Sequence, residues 1–458
     1  MKYDIVIIIL PFLKNMDQIG PALLKANIIK HGYTCKIINW NYKIFSEIKN
    51  KDIEHRNLKY YTKEISLWID EIKQYNPKYI GLSLCHIRFS DDIFKYMIKP
   101  LKNNFLNSKF VVGGSCFFID DFKSTYIKNN PSHYVVIGDG EDAIVQILKT
   151  DTWDNNIGLN VIKNLDNYPA PDYSDSPSLM KTITFSRGCF NNCKFCNTPH
   201  SSVRYRSPLN VVKELVDIWK KYKKSSFIFT DSLINSNRKK LEELCNLIIE
   251  YKKQKKLPEN LNLVAFMYCF KENERDEIIY NKMKKAGFSS IYIGLESGSE
   301  KVRKEMNKMI TNKNFNYMFK FLTQNNINIY CSLITGFYTE TNEDFQETLT
   351  YLRYLKENFN TNYIIINIGS IHMINNISAW KHVGVVTDGL GSWVYKDNTH
   401  LVRVKRWVKV IELCLEIDLA FVDIYHHLLY NDIIKHPHVK GTYLEKKIVR
   451  LLENKIFI

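Results

Sequence analysis

The sequence lacks any apolar run approaching the roughly 20 residues that a membrane-spanning helix needs, so no membrane span is expected. One shorter apolar run, Ile5 to Leu10, follows Asp4 and stops at Pro11 without a small-residue cleavage site. These flanks favour a buried strand over a signal sequence. Because no export signal precedes them, the ten cysteines are expected to be reduced thiols, and a cytoplasmic location is expected.

Blocks of like charge and low-complexity tracts are also missing. The formal net charge is +16, yet no run of five or six basic residues occurs. This dispersion indicates a solvated basic surface, and no nucleic-acid partner is expected. The 458 residues, with 45% hydrophobic and 24% charged side chains, are typical of an ordinary globular protein and predict two or three domains.

The first 150 residues alternate between apolar strands and helices. This alternation predicts a doubly wound parallel sheet, which binds ligands beyond the carboxyl ends of its strands. Tight strand-to-helix turns use glycine in any fold, so glycines at these ends are weak evidence for a ligand. The strands are predicted near residues 3–10, 34–39, 79–84, 110–112 and 134–137, and their ends carry Ser83, Gly113, Gly114, Ser115, Gly138 and Gly140.

Three further regions follow this domain. Residues 151–180 contain clustered prolines and serines and are predicted to be a linker. Residues 181–370 contain six strand-helix units, which predict a partial (β/α)6 barrel that works from the carboxyl ends of its strands. Residues 371–458 are predicted to be a mostly helical capping region that shapes substrate specificity, with a helix over 402–429 and the pair His426-His427.

Three cysteines fall within eight residues just after the first strand of the second series. They are Cys189, Cys193 and Cys196, while the other seven cysteines are scattered singly. Thiolates select zinc or iron-sulfur clusters. A structural zinc site requires four protein ligands, and His200 would complete a Cys3His set. A cluster held by three cysteines instead leaves one iron open for a ligand.

The motif Cys189-x3-Cys193-x2-Cys196, with Phe195 before the last cysteine and Arg187-Gly188 before the first, resembles that of the radical S-adenosylmethionine (SAM) enzymes. The resemblance implies a 4Fe-4S cluster whose open iron binds SAM, and an electron donor such as flavodoxin or ferredoxin. The reduced cluster would cleave SAM to a 5'-deoxyadenosyl radical. Other segments that match the family in order are Tyr205-Arg206-Ser207, Ile293 to Gly298, Met306-Asn307-Lys308, Gly336-Phe337 and Glu340-Thr341.

The resemblance also suggests which residues contact SAM. Thr230-Asp231-Ser232 stands where the family has a glycine-rich element. Asp231 would accept from the methionine ammonium or, equally, would start the next helix as a cap. Glu296 and Ser297 are candidates for the nucleoside end, and Phe195 is a further candidate contact.

The N-terminal sheet, placed before such a barrel, is similar to the cobalamin-binding domain of the cobalamin-dependent radical enzymes, most of which are methyltransferases. The resemblance implies methyl transfer to an unactivated carbon of a small molecule or peptide. The Asp-x-His-x-x-Gly motif that supplies a cobalamin ligand in many proteins is absent, and Pro11-Phe12-Leu13-Lys14 stands in its place. His86 lies near the expected cofactor face, although a structural role for a lone histidine is favoured.

Two alternatives stay open at this point. One keeps the radical chemistry but replaces methyl transfer by rearrangement, cyclisation or oxidation, with or without cobalamin. The other is a zinc-stapled protein that binds a nucleotide on its sheet.

Overall fold

A computed structural model describes residues 2–11, 17–48, 58–85, 90–155, 158–196, 198, 201–370, 382–387, 393–422 and 439–453. The residues singled out above at 12–14, His86, His200 and His426-His427 lie outside these ranges. Among the described residues no helix is both long and apolar enough to cross a membrane.

The N-terminal region forms the predicted five-stranded parallel sheet. Its order is β2-β1-β3-β4-β5, and all four pairings between neighbouring strands are parallel. All five residues of β1 are buried, because helices cover both faces of the sheet. Val6 and Ile8 point into one apolar core, whereas Ile5, Ile7 and Ile9 point into the other. The strands are β1 Ile5–Ile9, β2 Cys35–Asn39, β3 Tyr79–Ser83, β4 Lys109–Gly113 and β5 Tyr134–Val136.

The helices of this region lie between the strands as the pattern predicts, with one addition. A helix over Trp40–Ile48 follows β2 without an intervening turn, and the sequence pattern missed it. A π-helical turn, Phe94–Ile98, also interrupts the predicted helix near residues 91–102. The helices are α1 Ile19–Lys30, α2 Trp40–Ile48, α3 Thr62–Lys73, α4 Ser90–Ile93, α5 Lys99–Asn104, α6 Asp120–Asn129 and α7 Glu141–Thr150.

The second series forms another parallel sheet, of seven strands rather than the six predicted. Its order is β16-β13-β12-β11-β10-β9-β6. These strands are β6 Lys181–Ile183, β9 Ser226–Phe229, β10 Asn262–Met267, β11 Phe288–Glu296, β12 Asn328–Thr335, β13 Ile364–Ser370 and β16 Phe421–Val422. The short strands between them in the chain are β7 Ser186–Arg187, β8 Arg204–Tyr205, β14 Val386–Thr387 and β15 Trp393–Val394.

Long amphipathic helices connect the strands of the second sheet. Sequence-encoded caps fix several helix starts, since the side chains of Ser207, Asn237, Thr311 and Thr341 each accept from a backbone N–H of the first turn. These helices are α8 Pro208–Tyr222, α9 Arg238–Lys253, α10 Asp276–Ala286, α11 Glu300–Glu305, α12 Asn312–Gln324 and α13 Asn342–Asn358.

The predicted helix over residues 402–429 is wrong over residues 417–422, and its last residues, 423–429, lie outside the described ranges. Helix α14, His400–Glu416, ends in a turn at Ile417 and Asp418, whose φ is +50°. The chain then enters β16, which pairs in parallel with β13 and supplies the seventh strand. A two-residue strand carries no periodic signal, so the sequence could not reveal it. One further helix, α15, spans Tyr443–Glu453.

The chain divides into two compact units. One consists of residues 1–184 with 204–226, and the other of residues 185–203 with 227–458. The cysteine motif belongs to the second unit.

Candidate active site

The three cysteines lie on a loop with a strained entry. Gly188 has φ +103°, and a side chain there would place a Cβ 2.5 Å from the Ser202 carbonyl oxygen, so this position requires glycine. The backbone N–H of Ser201 donates to the Cys189 carbonyl at 2.9 Å, which closes the loop. Cys189 is buried, Cys193 is half-buried and Cys196 is exposed, so the solvent exposure of the three residues increases along the loop.

All three cysteines line a single cavity of about 360 Å3 within the second unit. Burial raises the pKa of the Cys193 thiol to about 11, and it also raises that of Cys189. The nearby Lys308 ammonium opposes this shift at both thiols. Loading a metal must therefore displace protons from these thiols. In the part of the chain that the structure describes, no three His, Cys, Asp or Glu side chains converge on one point as a single metal ion would require.

Asp231 lies in the wall of this cavity, but its carboxylate already accepts hydrogen bonds from the segment that leads to the cysteines. Its carboxylate accepts from the Phe185 N–H at 3.0 Å, from the Ser186 N–H and from the Ser186 hydroxyl at 2.6 Å. Burial raises its pKa to about 6. Helix α9 begins at Arg238 and is capped by Asn237, so the interpretation of Asp231 as a helix cap is wrong. Asp231 instead anchors the strand that enters the cysteine loop.

Glu296 ends β11 in a left-handed conformation with φ +64° and forms a buried ion pair in the cavity. Its Oε1 lies 2.7 Å from the Lys308 Nζ, which also donates to the Gly294 carbonyl at 2.6 Å. The pair fills the space over Gly294, where a Cβ would lie 2.0 Å from the Glu296 Oε1 and 2.4 Å from the Lys308 Nζ. A side chain at position 294 would therefore displace this ion pair.

Arg303 fixes the segment that carries Lys308. Its side chain is fully buried and donates to the Ile310 carbonyl at 2.9 Å, to the Asn312 Oδ1 at 2.6 Å and to the Ser297 carbonyl. These bonds hold both ends of the turn in which Asn307 has φ +60°. Met306-Asn307-Lys308 matches the family in sequence, but only the structure shows that Lys308 is the partner of Glu296.

The other predicted SAM contacts divide into two groups. Phe195 lines the cavity and packs against the apolar cluster of Met306, Phe337 and Trp393. Ser297 is fully buried, its hydroxyl lies 3.0 Å from the Thr348 hydroxyl, and it is not among the residues that line the cavity. The structure therefore brings Phe195, Asp231 and Glu296 together with the cysteines and leaves the Ser297 side chain outside.

At the carboxyl edge of the first sheet, two of the predicted glycines are required by contacts within the protein. Gly114 has φ +120°, and a Cβ there would lie 2.1 Å from the Leu84 carbonyl oxygen. Gly138 has φ +92°, and a Cβ there would lie 2.3 Å from the Asn160 carbonyl oxygen. Both positions therefore need glycine because another backbone segment crosses them, whether or not a ligand binds.

The remaining residues predicted at this edge also contact the protein itself. Ser83 donates its hydroxyl to the Gln18 Oε1 at 2.5 Å, and Ser115 donates to the Cys85 carbonyl at 3.0 Å. A Cβ on Gly113 would meet the Val136 carbonyl at 3.3 Å, and one on Gly140 would meet the Leu24 side chain at 3.2 Å. Gly114 and Ser115 are exposed at the edge.

A family comparison identifies the cysteine-bearing region. Residues 183–352 match the model of the radical SAM superfamily. The chain contains a radical SAM domain. This finding confirms the resemblance noted in the cysteine motif, and the radical SAM family implies a 4Fe-4S cluster and SAM at the cavity that Cys189, Cys193 and Cys196 line.

Curated relatives are about a quarter identical to the chain over the residues that align. The chain is 25% identical over 323 residues to the tRNA-2-methylthio-N(6)-dimethylallyladenosine synthase of Flavobacterium psychrophilum, covering 64% of this chain and 59% of that protein. It is 27% identical over 213 residues to the enzyme of that name from Clostridium novyi, covering 44% of each protein. The chain thus spans about half the length of these relatives.

Solved structures with the same fold cover more of the chain. The radical SAM methyltransferase TsrM from Kitasatospora setae, solved with cobalamin and a 4Fe-4S cluster, aligns with a TM-score of 0.61 at 13% identity, covering 81% of this chain and 75% of that one. The cobalamin-dependent radical SAM enzyme OxsB, solved with aqua-cobalamin and SAM, aligns at 0.60 and 16% identity, covering 99% and 71%. At these identities the likeness shows the fold, an N-terminal doubly wound sheet followed by a radical SAM domain.

Proposed function

We propose that Cys189, Cys193 and Cys196 hold a 4Fe-4S cluster that binds and reductively cleaves SAM. The observation that carries this proposal is that the cysteines of a radical SAM domain line one cavity together with Phe195, Asp231 and the Glu296–Lys308 pair. The cluster supplies the electron that cleaves the sulfonium, and a flavodoxin- or ferredoxin-like donor would reduce it. The substrate is a small molecule or peptide.

The residues of this chain position the reactants. Asp231 fixes the strand that carries the cysteine loop, because its carboxylate accepts from Phe185 and Ser186. Phe195 and Glu296 provide an apolar face and a polar face for SAM in the same cavity. Lys308 orients Glu296, since their charged atoms lie 2.7 Å apart and each side chain is less than a tenth exposed.

For the finer activity we propose cobalamin-dependent methyl transfer to an unactivated carbon. Its support is the shared fold of TsrM and OxsB, both of which are solved with cobalamin. The exposed carboxyl edge at Gly114 and Ser115 lies where ligands bind in such sheets. Cobalamin, when bound, supplies a carrier for the methyl group. Because every glycine predicted there packs against the protein itself, the residues alone do not select cobalamin over another cofactor.

Methylthio transfer is the second candidate, because the curated relatives quoted above carry that activity in their names. The two candidates differ in the product: one adds a methyl group and the other adds a methyl group with a sulfur atom. Mass spectrometry of a modified substrate therefore separates them directly. Formation of 5'-deoxyadenosine without either product would favour rearrangement, cyclisation or oxidation.

Cofactor content tests the methyltransferase proposal before a substrate is known. Protein reconstituted anaerobically with iron and sulfide is incubated with hydroxocobalamin and then desalted. We expect cobalamin to be retained at one per chain, and S-adenosylhomocysteine to form beside 5'-deoxyadenosine once substrate is supplied. Loss of all cobalamin on desalting, with the cluster intact, would refute cobalamin-dependent methyl transfer and leave the cluster assignment standing.

A further inference from the structure

The loop that carries the cysteines has a cavity side and an outer side. Asn191, Cys193 and Phe195 line the cavity. The residues that alternate with them, Asn192 and Lys194, are exposed and are not among the lining residues. The loop therefore presents alternate side chains to the cavity and to solvent.

The turn after α11 is divided in the same way and is joined to the loop. Lys308 lines the cavity, whereas its two neighbours in the chain are exposed. The Asn307 amide nitrogen donates to the Asn192 carbonyl at 2.8 Å, and the Lys194 N–H donates to the Met306 carbonyl at 3.0 Å. The exposed residues of the loop and of the turn therefore form one surface.

This surface, the outer face of the cysteine loop, combines apolar and basic side chains. Phe190 is 39% exposed and Met309 is 68% exposed. Lys194 and Lys304 are exposed, and neither is paired with a carboxylate in the part of the chain that the structure describes, whereas Glu305 is only partly exposed. The outer face consists of Phe190, Asn192, Lys194, Lys304, Asn307 and Met309.

Aromatic neighbours hold the Phe190 ring in place on the outer face. Its centroid lies 6.0 Å from that of Tyr268, at an interplanar angle of 74°, and 5.8 Å from that of Phe270. Tyr268 lines the cavity, so Phe190 packs against a residue of the cavity wall while remaining exposed itself. A ring that is already fixed loses little side-chain entropy when a partner covers it.

We propose that the outer face is the docking surface for a small acidic electron-transfer protein, a flavodoxin, which reduces the cluster. This inference rests on the proposed function, because it takes the three cysteines as cluster ligands. In the transfer, the anionic flavin hydroquinone of the donor loses one electron and becomes the neutral semiquinone, and the oxidised cluster gains that electron. No covalent bond forms or breaks in this step.

Position and charge both favour this partner. A donor on the outer face is separated from the cysteines by the loop itself and leaves the cavity free, whereas a donor that entered through the cavity would compete with SAM. The exposed charges of Lys194 and Lys304 attract an acidic protein and speed its association. Electron-transfer complexes bury little surface, below about 1,200 Å2, which suits a contact centred on six residues.

Charge reversal tests the inference by direct binding, without turnover. The affinity of oxidised flavodoxin for the reconstituted protein is measured by isothermal titration calorimetry. Lys194→Glu and Lys304→Glu should each weaken binding about three- to tenfold, because an attraction becomes a repulsion. Met309→Ser should weaken it about threefold, since it removes apolar area that the partner would cover. Added salt should weaken the wild type more than either lysine variant.

Lys255→Glu is the matched control. It makes the same charge change at an exposed lysine that lies between the end of α9 and the start of β10. In a parallel sheet this connection lies at the amino edge of the strands, opposite the edge where the cysteine cavity opens. Flavodoxin affinity should therefore stay within about twofold of the wild type.

A second measurement compares two reductants of different size. Formation of 5'-deoxyadenosine is driven either by subsaturating reduced flavodoxin or by dithionite, which needs no docking surface. Lys194→Glu and Lys304→Glu should slow the flavodoxin-driven reaction about three- to tenfold and leave the dithionite-driven rate unchanged.

The outcomes separate docking from other roles of the outer face. Flavodoxin that does not bind the wild type, or that binds both lysine variants as tightly as Lys255→Glu, would overturn the inference. A dithionite-driven rate that falls as far as the flavodoxin-driven rate would assign the lysines to the cluster and also overturn it. Self-association that is lost in the variants, with unchanged flavodoxin binding, would assign the outer face to a second copy of the chain and overturn it as well. Wild-type protein that binds flavodoxin as expected but cleaves SAM with neither reductant would refute the proposed function alone.

Discussion

Replacing Lys308 by methionine tests how strongly the buried ion pair holds the site together. The side chains of Lys308 and Glu296 are 7% and 8% exposed, and their charged atoms lie 2.7 Å apart. Removing one partner leaves a buried charge uncompensated, which typically costs about 3–5 kcal/mol. Glu296→Gln should cost less, because the Lys308 ammonium keeps its 2.6 Å bond to the Gly294 carbonyl and gains a neutral acceptor. The double variant should recover most of the loss, since it leaves no unpaired charge.

The assay is anaerobic urea unfolding of the cluster-free protein, so that metal binding does not contribute. Lys73→Met is the matched control, because Lys73 pairs with Asp70 at 2.9 Å while the two side chains are 46% and 58% exposed. Such a surface pair contributes about 0–1 kcal/mol. If Lys308→Met costs no more than Lys73→Met, or if the double variant is as unstable as Lys308→Met, the Glu296–Lys308 pair does not organise this site.

Three further predictions use other parts of the structure. Gly294→Ala should abolish SAM binding while the cysteines still bind iron, because the new methyl group takes the position of the ion pair. Iron content and equilibrium dialysis with SAM measure the two effects, and an unchanged SAM affinity would contradict this prediction. Gly114→Ala should lower the melting temperature sharply, because the new Cβ would collide with the Leu84 backbone. Gly20→Ala, near the start of α1 with open space around it, should leave the melting temperature equal or higher. Equal effects of the two substitutions would contradict the close approach of the Leu84 backbone to Gly114. Burial lowers the pKa of His133 from 6.5 to about 4, so the unfolded chain binds a proton more readily and stability is lost as pH falls from 6.5 to 4. His133→Phe should remove up to about 3 kcal/mol of that dependence in urea unfolding at pH 7 and pH 4.5, and an identical pH profile would refute it.

The sequence predicts the strands of both sheets well because their apolar runs are continuous and bounded by helices. Strand β10 and helices α8 and α10 match the predicted bounds, and the alternation predicted the five-stranded parallel sheet without its strand order. Helix α2 escaped prediction because it continues from β2 without a turn residue. Strand β16 was not predicted because a strand of two residues is too short to show the alternation of buried and exposed side chains.

The site was predictable only where residues lie close together along the chain. The cysteine motif is local, so the sequence alone indicated a metal centre. The contact of Lys308 with Glu296 depends on the turn that Arg303 holds, and the stacking of the Phe266, Tyr292 and Tyr330 rings depends on the register of β10, β11 and β12. Neither has a sequence signal, because each arises from tertiary packing. The glycines at the first sheet stay a prediction as ligand contacts, and the backbone segments that cross Gly114 and Gly138 are tertiary contacts that the sequence does not show.

The most direct test of the central claim is electron paramagnetic resonance of the reconstituted, dithionite-reduced protein with and without SAM. We predict a reduced 4Fe-4S signal that changes when SAM binds the open iron, together with 5'-deoxyadenosine formation. Both should disappear in Cys193→Ala, while Cys245→Ala, at a buried cysteine on α9, should retain them. A colourless protein that holds one zinc, or a cluster signal that SAM leaves unchanged, would contradict the account.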